Sequence, residues 1–242
     1  MIYDWLGIPA ALLAWGFALY VLVVAPRTRT SRFLVAMLLV DGFAVITSYN
    51  NLTYLNPMLA HVGLPDVPPV FHQVSDWALV AVYLPFIGMT LNSPLVAPLK
   101  NPIVSRVILI GGLGIAVTVA FLPEEFHSTF GWSFYIVICI VLAWGFAAAL
   151  HSWYIASSEA ERGRAKAFTI AFGVRDILWT ITFAYYTAVY HGLTEVTVEE
   201  LTDGSTRYGF LLALTYELAV LLYVPLVAYG VLRVQLFDID LR

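Results

Sequence analysis

This sequence predicts an all-α polytopic membrane protein, a single bundle of seven transmembrane helices with its N-terminus outside and its C-terminus cytoplasmic. Three observations predict it. Of the 242 residues, 61% are hydrophobic and only 12% are charged, against roughly 45–50% and about 25% in ordinary globular chains. Apolar runs of about 20 residues, the length that crosses a bilayer, recur seven times. Ten of the twelve lysines and arginines fall in connections on one side of those runs, and basic residues are retained on the cytoplasmic side.

The first run, about 5–25, follows MIYDW, which has neither the basic region nor the small-residue cleavage site of a secretory signal, so it is expected to persist as a helix. Arg27, Arg29 and Arg32 follow it, and the second run covers about 33–55. The connection NPMLAHVGLPDVPPVFHQ, 56–73, is proline-rich and expected to be stiff rather than helical. The third run, 74–92, contains Pro85, which predicts a kink. Lys100 and Arg106 precede and enter the fourth, 104–122, whose GGLG at 111–114, like Ala10, Ala14 and Ala18 in the first run, allows close helix packing. The fifth run, 132–154, is followed by Arg162, Arg164 and Lys166, and the sixth covers 168–190. In the connection 191–209, TEVTV and STRY flank Asp203-Gly204, which suggests a small β-hairpin cap. The seventh run, 210–232, completes one domain over 1–232 and leaves a juxtamembrane tail over 233–242. Trp5, Trp132 and Tyr190 sit at run ends as interfacial anchors.

Five ionisable side chains fall inside the runs: Asp41, Asp76, Arg175, Asp176 and Glu217. Each costs at least ~2.5 kcal/mol in hydrocarbon, so each is expected to face the bundle interior, a water cavity or a partner. At ~1.5 Å per residue, Asp41, Arg175 and Asp176 share a level about 10–12 Å from the cytoplasmic boundary, while Asp76 and Glu217 lie at an upper level. Adjacent helical residues diverge by roughly 100°, so Arg175 and Asp176 are not expected to neutralise each other alone. Arg175 is expected to reach Asp41, with Glu217 the second choice. Polar stripes follow: Asp41, Ala44, Ser48 and Asn51; Asp76, Tyr83 and Thr90; Arg175, Trp179, Thr182 and Tyr186. A structural ion pair and a proton- or ligand-coupled role both fit this set. Asp76, near the interface, is expected to be solvated.

Several classes are disfavoured. A net charge of −4 argues against nucleic acid. Cys139 is the only cysteine, which excludes an internal disulfide. His61, His72, His127 and His191 are placed at or beyond the outer boundary and His151 near the inner one, without metal or haem spacing, so no cofactor or metal is expected. No phosphate loop, nucleophile motif or HExxH pattern is present, and the chain is not expected to be an enzyme.

SDWALVAVYLP at 75–85 resembles the third helix of microbial rhodopsins, but both lysines, Lys100 and Lys166, lie in loops, which leaves no lysine for a retinal Schiff base. GVLRVQLFDIDLR at 230–242, WLGIPAALLAWGFALYVLV near the start and ERGRAKAF before the sixth run resemble the seven-helix N-terminal sensory region of bacterial and archaeal sensor histidine kinases. The resemblance implies a non-catalytic sensory or receptor-like module of the plasma or inner membrane, signalling through Phe237, Asp238, Asp240 and Arg242 to a protein partner. The alternative is an accessory or scaffold subunit of a larger membrane complex; a proton-coupled carrier using Glu217 and Asp176 is a third class. The kinase output domain is absent from this sequence, so no phosphorylation is expected of it.

Overall fold

The computed structural model describes residues 6–24, 28–68, 70–202 and 206–234, and among them every regular element is helical. Asp4, Trp5, Arg27, the Asp203-Gly204 turn and the tail residues Phe237, Asp238, Asp240 and Arg242 lie outside the described residues. The helices are α1 (Gly7–Val24), α2 (Arg29–Ile46), α3 (Tyr49–His61), α4 (Val70–Thr90), α5 (Pro102–Ala120), α6 (Glu124–Tyr154), α7 (Glu159–Tyr190), α8 (Val198–Thr202) and α9 (Arg207–Val234), with a 3-10 segment at Pro94–Lys100. Six of them, α1, α4, α5, α6, α7 and α9, are long and apolar enough to cross a membrane. This is a membrane protein.

Local chemistry sets the helix starts. Thr28 accepts from the Ser31 amide at 3.1 Å to cap α2, and Asn101 accepts from the Ile103 amide at 2.9 Å ahead of Pro102, the first residue of α5. Ser158 accepts from the Glu161 amide at 3.2 Å to cap α7, while Glu161 accepts from the Ser157 hydroxyl and amide, which holds its carboxyl below the usual range.

Three expectations are corrected. The run at 33–55 is not one helix: it breaks at Thr47 and Ser48 into α2 and α3. Side chains reinforce the last carbonyls of α2: the Asn51 side-chain amide donates to Val45 O at 2.7 Å and the Thr47 hydroxyl to Phe43 O at 2.7 Å, each beside a backbone N–H that the same oxygen accepts. The connection at 56–73 is helical at both ends, because α3 runs through Pro57 to His61 and α4 begins at Val70, directly after the Pro68-Pro69 pair. Asn56 clamps what remains by exchanging two hydrogen bonds with Val67, at 2.8 and 3.2 Å. The suggested hairpin between 191 and 209 is replaced by α8, because Thr197-Val198-Glu199-Glu200 is a capping box: the Glu200 amide donates to the Thr197 hydroxyl at 3.2 Å, and the Thr197 amide to the Glu200 carboxylate at 3.0 Å.

Packing neighbours close a ring in the order α1, α2, α4, α6, α7, α9 and back to α1, with α5 outside it on α4. Small residues bring the backbones close. Ala10, Ala14 and Ala18 are buried, and a Cβ at Gly112 of α5 would stand 2.6 Å from the Ala81 side chain of α4. At one end a cleft of about 250 Å³ gathers Thr30, Asn92, Ser152 and Arg164, so the starts of α2 and α7 meet the ends of α4 and α6 there. We call this the basic end, because Arg29, Arg32, Lys100, Arg106, Arg162, Arg164 and Lys166 all belong to it by chain position.

Candidate functional site

Two polar centres occupy the ring interior. The first is built on Arg175, which α7 buries completely on the face that also carries Phe172, Trp179 and Thr182. Its guanidinium sits among four rings, 4.7 Å from the centroid of Tyr83, 5.2 Å from Phe172, 5.3 Å from Trp179 and 5.2 Å from Tyr223. Stacked aromatic faces accept the flat, weakly hydrated cation that hydrocarbon would reject.

Its N–H groups then divide between two carboxylates. Nε and Nη2 donate to Asp176 Oδ1 at 3.0 and 2.8 Å, and Nη1 donates to Asp41 Oδ2 at 3.2 Å. Arg175 and Asp176 therefore do not neutralise each other alone: the three-methylene arm folds back across the 100° separation to the adjacent Asp176 and also reaches Asp41 on α2. Each carboxylate also receives a phenol. Tyr83 of α4 donates to Asp176 Oδ2, and Tyr223 of α9 donates to Asp41 Oδ2. Four helices, α2, α4, α7 and α9, thus meet in one charged cluster, and α2 and α7 are not side-by-side neighbours in the ring. Gly145 of α6 makes room for it, since a Cβ there would lie 2.9 Å from a Tyr83 ring carbon.

The second centre lies towards the opposite end. His72 and Asp76 are one turn apart on α4, with Nε2 3.7 Å from Oδ2, too long for a hydrogen bond. His72 also bonds the backbone of Ala44 in α2, beside the α2–α3 break. Tyr216 of α9 meets the His72 ring edge-on at 6.2 Å. Asp76 is 1% exposed, so the expected solvation is corrected, and His72 is likewise interior because α4 starts four residues earlier than its apolar run. Glu217 is buried beside Tyr216; it stands in neither the Arg175 hydrogen bonds nor the His72–Asp76 contact. Asp76 Oδ1 and the Tyr216 hydroxyl have no hydrogen-bond partner among the described residues.

The two centres touch through one stack. Trp179 lies on Tyr216 at 5.0 Å and 12°, its indole N–H donates to Tyr216 O at 3.1 Å, and the Arg175 guanidinium stands 5.3 Å from its ring. Sequence reasoning named Tyr83 and Trp179 only as stripe members and missed His72, Tyr216 and Tyr223. The i, i+4 spacing of His72 and Asp76, and the seven-residue spacing of Tyr216 and Tyr223, which returns to one helix face after two turns, were the available signals. Among the described residues no three histidine, cysteine, aspartate or glutamate side chains gather as metal ligands. No protein-family model, no curated protein and no solved structure matches this chain.

Proposed function

We propose that this chain is a seven-crossing sensory module of a cell membrane, in which a stimulus at the far end alters the Arg175 cluster and α9 carries the change to residues 233–242 and a protein partner. The observation that carries the reading is that Asp41 of α2, Arg175 and Asp176 of α7, Tyr83 of α4 and Tyr223 of α9 form one buried cluster. A signal needs two arrangements with different contacts, and a network shared by four helices changes all four when one member lets go.

The seventh crossing is α2 continued by α3. Arg29 and Arg32 sit at its first turn, where long side chains extend to the headgroups, and Asp41 is neutralised by Arg175. The basic end is cytoplasmic by the positive-inside rule, which puts the N-terminus outside. A proton-coupled carrier needs a path for cargo, and the two carboxylates that would serve it, Glu217 and Asp176, have different surroundings; Asp176 is already engaged by Arg175 and Tyr83.

The test first removes the single native cysteine. In a Cys139→Ala background, spin labels at positions 154 and 229, both exposed, report the distance between the ends of α6 and α9. Tyr223→Phe removes one hydroxyl from the cluster, and a shifted or broadened distance distribution is expected. An unchanged distribution in Tyr223→Phe and in Asp41→Asn, with both variants folded, would overturn the reading. Stoichiometric co-purification with another membrane protein, without any such shift, would instead favour the accessory-subunit alternative.

A further inference from the structure

Between the α2–α3 break and helices α4, α6, α7 and α9 lies a cavity of about 20 Å³, bounded by Ser48, His72, Tyr135, Phe183, Tyr186 and Tyr216. A water-sized guest needs roughly 10–15 Å³ by this measure, so the space admits one small polar group and little more. Aromatic rings form much of its wall: Tyr135 stacks on Phe183 at 5.1 Å and 23°, Tyr186 stands 5.5 Å from Tyr135, and Tyr216 meets Phe183 edge-on at 6.0 Å. Tyr216, 6% exposed, is part of the wall, and its hydroxyl has no hydrogen-bond partner among the described residues; Asp76, one turn from the lining residue His72 on α4, has an Oδ1 without one as well.

Charge decides what kind of guest fits. The buried ionisable side chains among the described residues are Asp41, Asp76, Asp176 and Glu217 against Arg175 and His72. Arg175 is already bound to Asp41 and Asp176 at the other centre. Asp76, one turn from the cavity-lining His72 and 3.7 Å from its Nε2, is the carboxyl group next to the cavity, and the aromatic faces of the wall attract cations. A sodium or calcium ion would need a shell of oxygen ligands that rings do not supply. An ammonium group is the size of water, donates hydrogen bonds to a phenol oxygen and a carboxylate, and sits well on aromatic faces.

We infer that this cavity binds a small ammonium ion, either ammonium itself or the head of a short primary amine, held by the tyrosine rings, the Tyr216 hydroxyl and the field of Asp76. Binding does not depend on the sensory reading, but its transmission does: Tyr216 stacks on Trp179, and Trp179 on Arg175.

The full chain in detergent micelles is titrated at constant ionic strength with ammonium, methylammonium, tetramethylammonium and sodium chlorides, reading the thermal midpoint and tryptophan fluorescence. Ammonium and methylammonium are expected to raise the midpoint saturably, while tetramethylammonium, too large for the cavity, and sodium do not. Asp76→Asn and Tyr216→Phe, folded as judged by their ligand-free melting, each weaken the response at least tenfold; Trp179→Phe keeps the midpoint shift and loses most of the fluorescence change. A wild-type chain that responds to sodium and ammonium alike, or to neither, overturns the proposal and leaves the cavity to water. So does an ammonium response unchanged in both Asp76→Asn and Tyr216→Phe. A midpoint shift without any change between labels at 154 and 229 keeps the site and overturns its transmission through Trp179 to the Arg175 cluster.

Discussion

The Arg175 and Asp76 centres lie in the same bundle and are built from similar residues, yet they are finished differently. Around Arg175 the guanidinium has two carboxylates and four rings, and a tyrosine from a further helix closes each carboxylate. Asp76 has only a histidine nitrogen at 3.7 Å, and a carboxyl oxygen and a phenol lack partners among the described residues. A saturated network resists change and fixes helix positions; an unsaturated one is where a guest gains most. The first centre is a clasp, and the second is suited to receive.

The largest effect expected from this contrast comes from Arg175. Arg175→Met leaves Asp41 and Asp176 buried without a cation and should lower stability by about 3–5 kcal/mol, read by thermal or denaturant unfolding in micelles. Arg175→Glu should be worse and partly rescued by Asp41→Arg, whereas additive losses in that double-mutant cycle would mean that the two residues do not act on each other. Next come the tyrosines. Tyr83→Phe and Tyr223→Phe each remove a hydrogen bond to a carboxylate and should cost about 1.5–3 kcal/mol. Gly145→Ala should mimic the loss of Tyr83 by pushing its ring off Asp176, at a cost of ~1–3 kcal/mol, and combining it with Tyr83→Phe should be less than additive.

Asp76→Asn should change stability by less than ~1 kcal/mol in either direction, because it removes a loosely paired charge and keeps the shape. If Asp76→Asn costs as much as Asp41→Asn under the same conditions, the two centres are equivalent and the contrast fails. The smallest effect is expected at the periphery: Thr197→Ala should speed hydrogen exchange in α8 and leave the global melting temperature unchanged, since only the capping box there is lost.

Much of the fold was legible because helices are specified locally. Apolar run length marked the spans of α1, α4, α5, α6, α7 and α9, and depth arithmetic put Asp41 and Arg175 on one level, where the structure leaves 3.2 Å between them. The errors arose where a local rule was applied to the wrong signal. The apolar run at 33–55 hid a break that the Thr47 and Asn51 side chains reinforce with further hydrogen bonds, and the proline content of 56–73 hid a helix start at Val70. At 197–200, TVEE is a capping box whose signal competes with the Asp203-Gly204 turn dipeptide.

The sequence by itself determined that the chain is helical and membrane-bound, which faces are polar, and that Asp41 and Arg175 stand at one level. These follow from the 3.6-residue period and from the free energy of placing each side chain in hydrocarbon, and both act within one helix. The tertiary structure decided which partners meet: that Arg175 serves Asp176 and Asp41 at once, that Tyr83 and Tyr223 close the two carboxylates, and that His72 turns inward to Asp76 and Ala44. Those contacts depend on the order of helices around the ring and on each helix's rotation about its axis. Several orders and rotations satisfy the same polar stripes equally well, and only packing the whole ring at once, with Gly145 under Tyr83 and Ala81 against Gly112, selects among them.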